Sequence, residues 1–135
     1  MKELTVFLNG NMIHNKDIIP YEQTQYQPEL KFDIPANKFY TIIMVDKDAP
    51  RPDNPIYRYV LHWLIINNNE TIMELKLPTP PINSGLHRYF IHLFEQQNKI
   101  KIEPIKERIN FDLDFFIKKY MLKPIASNMF MTERK

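Results

Sequence analysis

The stretch DKDAPRPDNPIYRYVLH, residues Asp46–His62, decides how the middle of the chain can fold. It follows the apolar run Ile42–Val45, begins with two aspartates separated by a lysine, and returns to apolar sequence at Val60. Its three prolines exclude a regular helix or strand, so it is predicted to be a loop between two buried strands. The shorter stretch GLHRY, at Gly85–Tyr89, opens another apolar run. Together the two stretches predict polar side chains clustered where strands end.

Alternating and apolar runs on both sides of these stretches predict a succession of strands. The predicted strands are Leu4–Leu8, a short strand within Pro28–Ile34, Tyr40–Val45, Val60–Asn67, Thr71–Leu77, His87–Glu95 and Ala126–Met131, with Ile100–Ile102 as a further candidate. Asn9-Gly10 is typical of a hairpin turn, since glycine accepts positive φ and asparagine tolerates it. The polar, irregular segment Asn11–Tyr26 is predicted to be a loop.

One helix is predicted, at Asp112–Tyr120, with Asp112 as its N-cap. Phe115, Phe116 and Tyr120 are predicted to form its core-facing stripe. Many strands with one short helix in the C-terminal region favour a mostly β protein, an antiparallel β-sandwich of Greek-key type. At 135 residues the chain is expected to form a single domain over residues 1–135.

Composition excludes several classes of function. The net charge is +2 and no basic block occurs, so direct binding of nucleic acid is not expected. No apolar run is long enough to cross a bilayer, so stable membrane insertion is not expected. The chain has no cysteine, which leaves no disulfide framework or thiol nucleophile and fits a reducing compartment. The expected location is the cytoplasm.

The polar residues near the strand ends predict a pocket for a small anion. His87 and Tyr89 share a face of an extended strand, and His62 is predicted on the face of Leu64 and Ile66. Imidazole N–H and phenol O–H groups are donors that suit phosphate or carboxylate oxygens. Asp46 can hold an imidazole in one tautomer or keep it protonated.

Each of these residues also has a structural interpretation. His62 fits a hydrogen-bonded core histidine, Asp46 and Asp48 fit a turn, and Tyr89 fits aromatic packing. Arg88 is predicted to form an ion pair on the opposite face. Two acids and two histidines can also hold a divalent metal, but no local spacing supports this, and no metal or cofactor is expected.

Three blocks resemble the phosphatidylethanolamine-binding protein family, which includes Raf kinase inhibitor protein and the plant florigens. They are DKDAP with PIYRYVLHWL downstream, GLHRYFIHLFEQ at residues 85–96, and RINFDLDFFIKKYMLKPIASNMF at residues 108–130. The segment QTQYQPEL, Gln23–Leu30, is similar to another family motif, so the resemblance extends over nearly the whole chain.

The resemblance implies a β-sandwich with an anion pocket at one end. The family's ligand-binding positions correspond here to Asp46, Asp48, Pro50, His62, His87 and Tyr89, and the pocket rim to Lys47, Thr79 and Gly85. Lys47 stands where the family usually has proline, and Thr79 where it usually has glycine. The family carries a cis peptide at the position of Arg58-Tyr59, with glutamate in place of Tyr59.

The resulting hypothesis is a non-enzymatic binding protein. It takes a phosphate or phospholipid-headgroup anion and modulates a protein partner such as a kinase or signalling assembly. The compact, Ile-, Asn- and Lys-rich sequence suits a large DNA virus or a protozoan, and a viral protein of this kind is expected in the host cytoplasm. Two alternatives stay open: a hydrolase that uses His62 or His87 as general base, and a scaffold with a vestigial pocket.

Overall fold

A computed structural model describes residues 2–135, and these residues form ten strands and one α-helix. The first five strands are short: β1 (Lys2–Glu3), β2 (Thr5–Leu8), β3 (Asn11–Ile13), β4 (Asp17–Ile18) and β5 (Glu29–Lys31). The later elements are β6 (Phe39–Asp46), β7 (Val60–Ile66), β8 (Glu70–Met73), β9 (His87–Gln96), α1 (Leu113–Lys119) and β10 (Lys123–Thr132).

The strands form two sheets, which confirms the predicted mostly β sandwich. The large sheet has seven strands in the order β1-β10-β9-β6-β7-β8, with β4 also paired to β10. The small sheet has the order β3-β2-β5. The long strands pair antiparallel, whereas β1 and β4 lie parallel to β10. The predicted hairpin at Asn9-Gly10 is confirmed, since both residues have positive φ and join β2 to β3.

The main core lies between the two sheets. Leu4, Val6 and Leu8 project from the small sheet, and Met44 and Ile91 project from the central strands of the large sheet. All five are at most 2% exposed. Their burial on folding supplies the larger part of the apolar stabilisation that holds the sheets together, at about 25 cal/mol per Å².

A second core covers the opposite face of the large sheet. Ile43, Val45 and Leu61 from the sheet pack there with Leu113 and Phe116 of α1. Strands β6 and β7 are therefore buried on both faces, which explains why their sequences are continuously apolar and do not alternate. The N-cap of α1 is confirmed, because the Asp112 carboxylate accepts a hydrogen bond from the backbone N–H of Phe115.

Some predicted elements are wrong in part. Asn11–Tyr26 is not simply a loop, since it contains β3, β4 and a 3-10 turn at Tyr21–Thr24. β3 pairs with the neighbouring β2 across the Asn9-Gly10 turn, whereas the two residues of β4 form a strand only by pairing with the distant β10. Phe115 does not face the core: it is 61% exposed, while Leu113 and Phe116 are buried.

The candidate strand at Ile100–Ile102 is not formed. The backbone of Ile100 instead bonds the side chain of Asn67: its N–H donates to Oδ1, and its carbonyl accepts from Nδ2, both at 2.9 Å. Asn67 thus replaces a neighbouring strand as hydrogen-bond partner. Within residues 2–135, no helix has the length and apolar character needed to cross a membrane.

Candidate functional site

Three neighbouring strands of the large sheet end at one edge, beside a cavity of about 200 Å³. Asp46, the last residue of β6, pairs with both Val60 of β7 and Tyr89 of β9. Antiparallel pairing brings the end of one strand beside the start of the next, so these side chains meet. The cavity is lined from the strand ends and three loops by Asp46, Ala49, Pro50, Tyr57, Val60, His62, Lys76, Thr79, Pro80, Pro81, Tyr89 and Ile109.

A β-bulge in β7 determines the direction of the His62 side chain. In the ladder between β6 and β7, Val45 pairs with Leu61 and Met44 pairs with Trp63. His62 is therefore an extra residue without a partner on β6. A bulge interrupts the strict alternation of side chains between the two faces of the sheet.

The bulge brings His62 to the side of the sheet that faces the small sheet. Its ring lies edge-on to the ring of Tyr89, with centroids 5.3 Å apart. Tyr89 and Trp63 belong to the main core, whereas Leu64 and Ile66 belong to the core under α1. The predicted face of His62, shared with Leu64 and Ile66, is therefore wrong, because strict alternation does not hold across the bulge.

Two hydrogen bonds tie His62 to Lys76. The Lys76 amide donates to the His62 carbonyl at 2.8 Å, and Nδ1 of His62 lies 2.6 Å from the Lys76 carbonyl oxygen. A carbonyl oxygen only accepts, so Nδ1 carries a proton and donates. Burial lowers the pKa of His62, which favours the neutral ring with a lone pair on Nε2. Nε2 has no hydrogen-bond partner among residues 2–135 and is available to a ligand.

Behind the cavity, Asp46, His87 and Ser84 form a buried chain of hydrogen bonds. Nδ1 of His87 lies 2.9 Å from Oδ2 of Asp46, and Nε2 lies 2.8 Å from Oγ of Ser84. The Ser84 hydroxyl donates to the Pro81 carbonyl at 2.7 Å, so towards His87 it accepts. Both ring nitrogens of His87 then act as donors, and its positive charge lies against the Asp46 carboxylate.

Tyr89 places an unpartnered hydroxyl at the cavity. The residue is fully buried, and its ring stacks on Phe130 with centroids 5.4 Å apart. Within the described part of the chain its hydroxyl has no hydrogen-bond partner. Burial and the nearby Asp46 carboxylate raise the pKa of Tyr89, so the phenol keeps its proton and remains a donor.

Asp48 lies outside the cavity and binds Arg88. The Arg88 guanidinium donates to both carboxylate oxygens at 2.8 Å, and its backbone N–H donates at 2.9 Å. Burial favours a higher pKa for Asp48, but the hydrogen bonds and charge of Arg88 outweigh it and hold the pKa below its ordinary value. The predicted ion pair of Arg88 is thus confirmed, and Asp48 is its partner.

Only some of the residues expected to form the pocket rim lie at the cavity. Thr79 lines the cavity, as does Pro50, which was expected among the ligand-binding residues. Lys47 lies elsewhere, with its ammonium 5.8 Å from the centroid of the Phe90 ring. Gly85 has a φ of +100° and sits against Pro52, so it shapes the loop and does not line the cavity.

Comparison with known proteins agrees with this geometry. The model of the phosphatidylethanolamine-binding protein family matches residues 4–77. The chain is 43% identical over 140 residues to a phosphatidylethanolamine-binding protein homolog of Acanthamoeba polyphaga mimivirus, a match that covers 98% of each protein. The chain belongs to the phosphatidylethanolamine-binding protein family. The family expected from the sequence blocks is confirmed.

Two further similarities concern other members of this fold. The chain is 30% identical over 144 residues to the rice protein named MOTHER of FT and TFL1 homolog 2, covering 98% of this chain and 82% of that protein. A carboxypeptidase Y inhibitor, solved in complex with its cognate proteinase, superposes with a TM-score of 0.84 at 22% identity over 98% of this chain and 83% of the inhibitor. The latter shows a shared fold.

The phosphatidylethanolamine-binding protein fold here has two cis peptide bonds in the loop beside the cavity. They are Ala49-Pro50 and Arg58-Tyr59. The cis bond implied by the resemblance is therefore present with tyrosine at position 59.

Seven residues that line the cavity were not predicted from the sequence. They are Ala49, Tyr57, Val60, Lys76, Pro80, Pro81 and Ile109. Pro80 and Pro81 stand between the predicted strands Thr71–Leu77 and His87–Glu95, so their position offered a signal. Ile109 offered none, because it comes from an irregular segment far along the chain.

A metal site and a larger cleft are the alternatives to this cavity. Within residues 2–135 no group of three or more His, Asp or Glu side chains is arranged to hold a metal ion. A larger cleft, about 580 Å³, lies beside Tyr21, Ile82 and Arg134. None of the unpartnered buried polar atoms in the described residues belongs to a residue lining that cleft, so the smaller cavity is the candidate site.

Proposed function

We propose that this phosphatidylethanolamine-binding protein is a non-enzymatic binding protein that takes a small phosphate-like or headgroup anion into the cavity. The observation that carries the proposal is the Tyr89 hydroxyl, a buried donor without a partner. Buried polar groups are nearly always hydrogen-bonded, so an unpartnered donor beside a cavity favours an external acceptor. An anion oxygen is an acceptor of the right kind.

The remaining polar groups suit an anion when their charges are taken together. Asp46 alone would repel an anion, but His87 lies 2.9 Å behind it and offsets its charge. His62 can take a proton on Nε2 and then donate to a ligand oxygen, since Nδ1 already donates to Lys76. The cavity, about 200 Å³, fits a single phosphate or headgroup and not a lipid chain.

A protein partner forms the second part of the proposal. We propose that the single domain over residues 1–135 modulates a kinase or signalling assembly in the cytoplasm, in a host cell if the source is viral. One neighbour with the same fold is a proteinase inhibitor solved with its proteinase, so this fold does engage protein surfaces. The mimivirus relative supports the viral setting.

The experiment is a thermal-shift titration with phosphate, phosphoethanolamine and phosphotyrosine, with the wild type and Tyr89→Phe side by side. A ligand that binds the native state stabilises it by RT ln(1 + [L]/Kd), about 2.7 kcal/mol at 100 Kd. We expect a concentration-dependent rise of Tm in the wild type and little or none in Tyr89→Phe. Tyr40→Phe is the matched control, because Tyr40 packs on Phe32 away from the cavity.

A hydrolase is the second candidate, favoured by the chain Asp46–His87–Ser84. In such a chain Ser84 would be the nucleophile, His87 the base and Asp46 the orienting acid, an arrangement typical of covalent catalysis. The directions of the hydrogen bonds oppose a hydrolase, because His87 donates to Ser84 and has no lone pair free to accept the Ser84 hydroxyl proton. The hydrolase would be favoured if the wild type hydrolysed p-nitrophenyl acetate or p-nitrophenyl phosphate and Ser84→Ala did not. If no anion shifts Tm and no substrate turns over, the scaffold with a vestigial pocket is favoured.

A further inference from the structure

Among the residues described, Lys76 is the only lysine or arginine that borders the cavity, and its charge is close enough to His62 to help lower the pKa of that ring. Its backbone is fixed beside His62 by the two hydrogen bonds at 2.8 and 2.6 Å, one in each direction. Its side chain is exposed, and its ammonium has no acceptor or acidic partner within residues 2–135. Lys76 is therefore anchored beside the site by its backbone, and its ammonium is free to reach a ligand.

The other cations near the site are engaged elsewhere. The Arg108 guanidinium donates to the carbonyl oxygens of Leu61 and His62 at 3.1 and 3.2 Å, and to that of Glu74 at 2.8 Å. It thereby stabilises the bulged backbone of β7 and does not line the cavity.

Two further arginines and one lysine also contact other residues. Arg58 and Arg88 both lie against Asp48, at 3.6 and 2.8 Å. Lys47 lies over the Phe90 ring. Because Asp46 is offset by His87, the charge presented to a ligand depends on Lys76.

We propose that Lys76 makes the cavity selective for phosphate monoesters over zwitterionic phosphodiester headgroups. The proposal rests on the anion site proposed above. A monoester carries about −1.5 to −2 charges at pH 7, which suits both the Tyr89 hydroxyl and the Lys76 ammonium. A phosphodiester such as glycerophosphoethanolamine carries one negative charge and an ammonium, and Lys76 repels that ammonium.

The test is isothermal titration calorimetry with inorganic phosphate, O-phosphotyrosine and glycerophosphoethanolamine. We expect the wild type to bind both monoester-type ligands at least on the order of tenfold more tightly than the diester. Lys76→Gln removes the charge and keeps the stem, and it should lose on the order of tenfold for the monoesters while the diester is unchanged or improved. Lys47→Gln is the matched control and should behave as the wild type.

Salt gives an independent measure of the same interaction. The monoester affinity of the wild type should fall as ionic strength rises, and that dependence should be reduced in Lys76→Gln. Comparison of inorganic phosphate with phosphotyrosine separates a free anion from a phosphorylated side chain as the source of the phosphate.

The outcomes distinguish the two proposals. If Lys76→Gln binds monoesters as the wild type does while Tyr89→Phe does not, selectivity by Lys76 is overturned and the anion site stands. If the wild type binds none of the three ligands, both proposals fail. Lys76 is exposed, so its variant should keep the wild-type Tm, and a lower Tm would assign it a structural role instead.

Discussion

His87 shows how one buried side chain connects two parts of the site. It is fully buried, and it bonds Asp46 at the end of β6 and Ser84 in the second proline-containing loop. It therefore orients the Asp46 carboxylate towards the cavity and holds the loop that forms the rim. Its role in the proposed site is to position other groups, since it does not line the cavity.

Replacing His87 by alanine should destabilise the fold. The change leaves the buried Asp46 carboxylate with the Asp48 backbone N–H but without the imidazole of His87. Breaking such a buried pair costs about 3 kcal/mol of unfolding free energy. Urea denaturation measures this, with Ser84→Ala as the comparison: it removes one neutral acceptor and should cost about 1 kcal/mol. Equal stability of His87→Ala and the wild type would contradict the buried ion pair.

His62 should make anion binding depend on pH. Burial lowers its pKa in the free protein. The hydrogen bond to the Lys76 carbonyl and the charge of Asp46 oppose this effect, whereas the charges of Lys76 and Arg108 add to it. An anion beside Nε2 stabilises the protonated ring, so binding takes up a proton and weakens as pH rises past the pKa of the liganded state.

Sulfate is the suitable probe, because it remains a dianion over the whole range. We expect sulfate to bind more tightly near pH 6, about half a unit below the ordinary pKa of histidine, than near pH 8. Calorimetry in two buffers of different ionisation enthalpy should show proton uptake. In His62→Gln both the uptake and the pH dependence should be reduced, and their persistence would place the titrating group elsewhere.

At the level of elements, β9 presents a different chemistry on each face. His87 and Tyr89 face the site, whereas His92 faces the second core between the rings of Phe90 and Phe94, at centroid distances of 5.7 and 5.8 Å. His92 therefore lies on the opposite face of β9 from His87 and Tyr89. Burial lowers the pKa of His92 to about 4.

This lowered pKa links stability to pH. The unfolded state, with an ordinary pKa of about 6.5, binds the proton before the native state does. The stability contributed by neutral His92 is fully present above pH 6.5 and lost as pH falls towards 4, by up to about 3 kcal/mol. Urea denaturation across this range should show a shallower decline in His92→Phe, and an unchanged decline would exclude His92 as the cause.

Elements differ in how far the sequence specifies them. β6, β7 and β9 were predictable, because a strand buried on both faces needs an apolar run that few alternatives produce. The direction of the His62 side chain was not predictable, because the bulge arises from the pairing of β6 with β7 and has no characteristic sequence in β7 itself. β4 was missed for a related reason: its two residues form a strand only because β10 lies beside them.

For the whole molecule, stability should be concentrated in the middle of the large sheet. β9 and β6 lie between other strands and under both cores, whereas the small sheet is covered on one face. Regions with more burial open less often. Native-state hydrogen exchange should therefore be slowest in β6 and β9 and faster in β3 and β5, and the reverse order would contradict this arrangement.

The residues that line the cavity were predicted only in part. Asp46, His62, Tyr89, Pro50 and Thr79 were anticipated and do line the cavity. Lys76 was not, because its place depends on two backbone hydrogen bonds with His62 that no local pattern encodes. Residues that meet through long-range pairing can be recognised from a family motif, but Lys76 lies outside the motifs that carried the resemblance.

The pairing of β1 with β10 has a consequence for synthesis. Lys2 and Glu3 lie beside Ala126 and Ser127, so β1 finds its partner in a strand that is synthesised much later than β1 itself. Until β10 leaves the ribosome, β1 has no place in the large sheet, and Tyr89 lacks the Phe130 ring that stacks on it. A nascent chain of this protein should therefore complete the proposed anion site only after β10 has been synthesised, so anion capture during translation would report the finished fold and not a partial one.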